Sequence, residues 1–171
     1  MCHEAGLPSS MRLVLDVTPH VCSTGEAIHR CTAFLESHSI DARCVQTFTL
    51  LICEAIANAM QHGVLRVPRT AKEDPFNTNG NFYTGSSSGW IAIKIDLQYE
   101  EGDSGAINAI AVEVADSGAG FDWRSYLPKA TMPSPELLYG RGLALIKASS
   151  TNLSFNEDGS TIRFVIPCKV D

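Results

Sequence analysis

The chain has 171 residues, 44% hydrophobic and 19% charged, which suits one folded domain with a substantial core and leaves too little for two. A net charge of −6 excludes binding to a phosphate backbone as the main role, because nucleic-acid footprints are basic. No apolar run approaches the ~20 residues of a membrane span, and the first twenty residues lack the basic start and apolar centre of a signal peptide, so a cytoplasmic protein without nucleic-acid or membrane partners is expected.

In chain order, residues 12–17 alternate as a first strand. Ser23 and Glu26 form a capping-box pattern, and Ile28, Cys31, Leu35 and His38 recur at helical spacing, which predicts a helix over 23–38. A second helix is expected over 41–61, with an apolar stripe of Val45, Phe48, Ile52, Ala55, Ile56 and Ala59, and Gly63 as its stop. Residues 68–89 are rich in Pro, Gly, Asn and Ser without a period, so the connection of about 66–89 is expected to be a long loop. Ile91, Ile93, Ile95, Leu97 and Tyr99 alternate with polar or small residues as a half-buried strand, and a second strand over 107–115 turns Ile110, Val112 and Val114 inward. Residues 121–139 hold three prolines and are expected to be a loop. A short helix at 142–150 precedes a hairpin, NLSF and TIRFVI, turned at 157–159. This order predicts a single α+β domain: two layers, a mixed, mostly antiparallel sheet, and helices on one face.

Six cysteines are scattered without a C-x-x-C pair, a pattern that predicts buried free thiols rather than a disulfide framework.

Three motifs carry chemistry. On the second helix, Glu54, Asn58 and His62 fall at i, i+4 and i+8 and form one polar row. Asn58 can offer a neutral oxygen to Mg²⁺, and Glu54 can orient or deprotonate a hydroxyl. The bland alternative is the wet side of an amphipathic helix, but Leu50, Leu51 and Ala57 around the row are not the Lys/Glu mix of such a face. Next, a strand ends in Asp116, followed by Gly118, Gly120 and Phe121. Glycines permit close approach to a planar or anionic ligand, and a fixed Asp can accept from an amine such as adenine N6. Its bland alternative is a plain Asp-Ser-Gly turn. Last, Gly140, Arg141 and Gly142 open a helix, where N–H groups and the dipole favour an anion.

In this order, E-A-I-A-N-A at 54–59, D-S-G-A-G-F at 116–121 and G-R-G-L at 140–143 resemble the N box and the two glycine boxes of the GHKL (histidine-kinase-like) ATPase superfamily. G-S-T-I-R-F at 159–164 resembles its closing strand, and the likeness spans about residues 12–167. The form is most similar to the anti-sigma-factor serine/threonine kinase group. That resemblance implies ATP and Mg²⁺ as cofactors, Glu54 as catalytic base and Asn58 as metal ligand. It implies Asp116 on the adenine amine, Gly118 and Gly120 under the base and ribose, and Gly140, Arg141, Gly142 and Leu143 near the phosphates. Thr161, or else Ser160, would hold an adenine-side water, and residues 122–139 would form the lid. The implied partners are a STAS-domain antagonist, phosphorylated on serine, and a sigma factor, with homodimers common in the group. Two departures stand out: the loop before residue 89 is long, and Glu136-Leu137-Leu138-Tyr139 fill a stretch where the group often has a basic lid residue. That leaves Arg124 and Lys129 as the lid cations.

Overall fold

The computed structural model describes residues 9–17, 24–64, 89–100, 105–129 and 141–168. The expected loop up to residue 88, the capping residue Ser23, Gly140 and the lid from 130 onward lie outside the described residues. Strands β1 (Ser10–Val17), β2 (Gly89–Tyr99), β3 (Ile107–Asp116), β4 (Thr151–Phe155) and β5 (Thr161–Pro167) form one sheet in the order β1-β2-β3-β5-β4. Every neighbouring pair is antiparallel. Helices α1 (Thr24–Glu36), α2 (Ala42–Asn58), α3 (Trp123–Tyr126) and α4 (Arg141–Ser149) complete the α+β domain.

Strand periodicity decides which face is covered. In register, Leu13, Ile93, Val114 and Ile162 form one row across four strands. This row and its neighbours pack with Ala27, Cys31 and Leu35 of α1, Phe48, Leu51, Ile52 and Ile56 of α2, and Ile146 of α4. One residue along, Arg12, Lys94, Glu113, Arg163 and Ser154 form the next row on the opposite, open face. Ion pairs Lys94–Asp96 at 2.8 Å and Arg163–Glu113 at 2.6 Å lie there, partly exposed. Exposed pairs contribute about 0–1 kcal/mol, whereas each fully buried Ile or Phe contributes about 1.5–3 kcal/mol. The helix-facing rows hold the fold.

The helix that carries the polar row is well started. Asp41 caps α2, its carboxylate accepting from Arg43 N–H at 2.8 Å and Cys44 N–H at 3.3 Å. Four expectations need correcting. Gly63 does not stop this helix: the coil runs on as a π-helical turn, Ala59–Val64, with Gly63 buried inside it. Leu51 belongs to the core, and only Leu50 and Ala57 are exposed beside the polar row. Tyr99 faces solvent, because a register shift at Gln98/Tyr99 takes it out of the inward stripe. Residues 123–129 are not loop but α3 followed by a 3₁₀ turn, started by Asp122, which accepts from both the N–H and the hydroxyl of Ser125.

The cysteine reading is also overturned in part. Cys44, near the start of α2, is bonded to Cys168, just past β5, with Cα atoms 5.2 Å apart and a sequence separation of 124. Spacing cannot reveal such a pair, since only the folded sheet brings the chain's last strand beneath the head of α2. Cys31 and Cys53 are free thiols. Burial pushes the Cys31 thiol up to about 11, which leaves it an inert core residue. Among the described residues, no helix is long and apolar enough to cross a membrane.

Candidate active site

The site is built where α2, α4 and the end of β3 meet. Glu54 and Asn58 are half-buried on one side of α2, one helical turn and so about 6 Å apart. The Glu54 carboxylate lies against the Cα of Gly142, the second residue of α4. A methyl group on Gly142 would overlap Glu54 Oε2 and stand 3.2 Å from its Cδ. The fold therefore brings the first motif to the third, with the Glu54 carboxylate at the amino end of α4 and Asn58 one turn further along α2. Arg141 is exposed at that end, Leu143 is half-buried behind it, and Gly140 lies outside the described residues. The first turn of α4 contains no acidic side chain of its own, and the carboxylate set against it is that of Glu54 from α2.

The second cluster lies at the end of β3. Asp116 donates its N–H to Ser160 O at 3.0 Å, and its Oδ1 accepts from Gly118 N–H at 2.8 Å, which holds the carboxylate in one orientation. Its face rests against Gly63, and the backbone of Gly63 is in turn packed against Gly118. Gly120, at φ +74°, sits over the Asp158 carbonyl, where no side chain would fit, and Phe121 N–H reaches the same carbonyl at 2.9 Å. Burial pushes the Asp116 carboxyl above the ordinary aspartate value; the Gly118 N–H opposes this, and Asp158 adds to it.

That raised value gives the carboxylate a signature in solution. A carboxyl whose folded pKa is raised favours the folded state when protonated, and this contribution is lost as pH rises through the folded value. At neutral pH the charged Asp116 therefore costs stability. Asp116→Asn should melt no lower than wild type there, yet bind ATP about ten- to a hundredfold more weakly, the usual loss for a buried recognition bond. Wild-type affinity should fall with acidification from a higher pH than an ordinary aspartate gives, and the Asn variant should lack that component. Calorimetric titration from neutral to acid pH checks both. Equal affinities for the two proteins would remove Asp116 from the site.

Thr161 and Ser160 separate on register. Thr161 pairs with Ala115, so it shares the open face of the sheet and points away from Asp116. Ser160 is the residue beside Asp116, through its carbonyl, while its hydroxyl bonds Asp158 Oδ1 at 2.7 Å and accepts from Asn156 Nδ2 at 3.0 Å. Of the two, Ser160 occupies the position by the strand-end carboxylate.

The start of the expected lid is anchored. Trp123 stacks on Phe155 with centroids 5.4 Å apart and donates Nε1–H to Asn156 O at 2.9 Å. Arg124 lies over the Trp123 ring at 4.5 Å and donates to Glu157 O at 3.1 Å, which ties this lid cation to the β4–β5 hairpin. Lys147 of α4 donates to Leu127 O at 3.0 Å. The Lys129 side chain lies outside the described residues.

Sequence reading missed two contributors. Gly63, following a periodic run, has the local chemistry of a helix stop, and only tertiary contact reveals its place under Asp116. The Trp123–Phe155 anchor had a weak signal, two aromatic residues flanking the glycine-rich turn and the hairpin, with no period to link them.

The arrangement fits an adenine nucleotide: a half-buried acceptor at a strand end, bare backbone around it, and a helix start set against a carboxylate. No curated protein matches the chain. A family model described as the histidine kinase-like ATPase domain matches residues 17–166, nearly the whole sequence and all three motifs. The chain belongs to the histidine kinase-like ATPase domain family and has its α+β, antiparallel-sheet fold.

Proposed function

We propose that this ATPase-family domain is a cytoplasmic protein serine/threonine kinase of the anti-sigma-factor type, acting on a serine of a STAS-domain antagonist and sequestering a sigma factor. The observation that carries the reading is the Glu54 carboxylate set against Gly142 at the start of α4. A site that only holds a nucleotide needs an adenine acceptor and a phosphate cradle; it has no use for a carboxylate where the terminal phosphate meets an incoming hydroxyl.

In this reading Asp116 accepts from the adenine amine, and the start of α4 faces the phosphates with Arg141 beside it. Mg²⁺, when bound, neutralises phosphate charge, and Asn58 Oδ1 is the protein oxygen that fits it. Glu54 takes the proton of the serine hydroxyl as its oxygen bonds to the γ-phosphorus. The bond from that phosphorus to the β–γ bridging oxygen breaks, leaving ADP and a phosphoserine.

The test is a single-turnover reaction with γ-labelled ATP, Mg²⁺ and a STAS-domain protein encoded beside this chain. Label appearing on a serine of that protein supports the kinase. ATP binding without any transfer would make the domain a nucleotide-gated switch that holds its partner.

A further inference from the structure

Gly63 stands where two of the site's elements cross, and nothing in its surroundings is explained by its being a helix residue. Helix propensity alone favours alanine at such a position. Yet the three atoms that a Cβ on Gly63 would meet first are Asp116 Oδ1, Cγ and Oδ2, the whole carboxylate. On its other side, the atoms that a Cβ on Gly118 would meet first are the O, C and Cα of Gly63. Gly63 is thus buried against both the strand-end carboxylate and the first glycine of the turn. The π-helical turn Ala59–Val64 brings it there, and turns of this kind recur at functional sites.

We propose that Gly63 is a positioning residue for adenine recognition: by having no side chain, it lets the Asp116 carboxylate lie flat against the α2 helix end, with Oδ1 on the Gly118 N–H and Oδ2 turned to the nucleotide base. The inference rests on Asp116 being the adenine reader. Gly118 N–H fixes one oxygen at 2.8 Å. The Gly63 backbone blocks rotation of the carboxylate on one side, so its free oxygen keeps one direction. A methyl at position 63 forces the carboxylate off Gly118 and spoils that direction, without touching Glu54, Asn58 or α4. The damage should fall on base selectivity, because an acceptor that has moved no longer distinguishes the adenine amine from the guanine carbonyl.

Equilibrium titrations of ATP and GTP against wild type, Gly63→Ala and Gly25→Ala test this. Gly25 has open space where its Cβ would go, so that variant controls for an added methyl in a helix. Wild type should prefer ATP. Gly63→Ala should lose about ten- to a hundredfold in ATP affinity and far less for GTP, bringing the two together, while Gly25→Ala matches wild type. A Gly63→Ala protein that keeps the wild-type ATP-to-GTP ratio overturns the role of Gly63 and leaves Asp116 in place. A wild type that does not discriminate removes Asp116 as the reader, and this inference with it. Should Gly63→Ala fold poorly, thermal unfolding of Gly63→Ala/Asp116→Ala decides. Loss of the carboxylate should restore most of the melting temperature that the methyl removed, whereas an additive loss shows that the overlap lies elsewhere.

Discussion

Replacing Glu54 by Gln should leave ATP binding close to wild type and slow phosphoryl transfer by about 10²–10⁴-fold. The substitution is nearly isosteric, so the amide keeps its place on the α2 row and its fit against Gly142. What it loses is the ability to take a proton. Phosphoryl transfer owes most of its rate to positioning and charge neutralisation, which under the proposed function Asn58, Arg141 and the start of α4 would continue to supply. The loss should therefore appear in the single-turnover rate and not in nucleotide affinity. Labelled ATP with a STAS-domain protein measures one, and calorimetry the other. A Gln variant that transfers as fast as wild type would reduce Glu54 to a residue that steadies the helix.

The second large effect concerns stability. Reduction of Cys44–Cys168 should lower the melting temperature by roughly 10–20 °C for a domain of this size. The chain-entropy argument assigns about 5 kcal/mol to a cross-link closing a loop of this length, and the two cysteines lie at a sequence separation of 124. Because the link joins the head of α2 to the end of β5, it also restrains the helix that carries Glu54 and Asn58. Thermal unfolding with and without a thiol reductant checks the effect, with Cys44→Ser/Cys168→Ser as the reductant-insensitive control. If wild type melts at one temperature under both conditions, the bond does not stabilise the protein in solution.

How far the sequence spoke for itself depended on whether a feature repeats. The strands were legible because Ile91 to Leu97 and Ile110 to Val114 alternate, and alternation directly encodes which face is buried. The Glu54–Asn58 row was legible because helical spacing puts both on one side of α2. Features made by a single close approach left no such trace. Gly63 after a periodic run has the local chemistry of a stop, and its contact with Asp116 arises 53 positions later, through the sheet. The choice between Ser160 and Thr161 turned on one residue of register, which reverses the face and cannot be fixed without the pairing of Ala115. The Trp123–Tyr126 turn is four residues long, too short for any period, and is held by Asp122 and by Phe155 across the hairpin.

One consequence follows from α2 continuing unbroken into the π-helical turn. Glu54 and Gly63 belong to the same rod, nine positions apart, a span of about 13 Å at α-helical rise. The rod meets Asp116 at one end and the start of α4 at the other, so under the proposed function it would work as a ruler for the ligand. A single residue inserted between Asn58 and Gly63 would turn one end by about 100° relative to the other, and no side-chain adjustment could bring both marks back onto one nucleotide. Under the proposed function bare adenosine would satisfy only the Gly63 end, and inorganic triphosphate only the Glu54 end. A molecule that carries both groups at the right separation engages the full length.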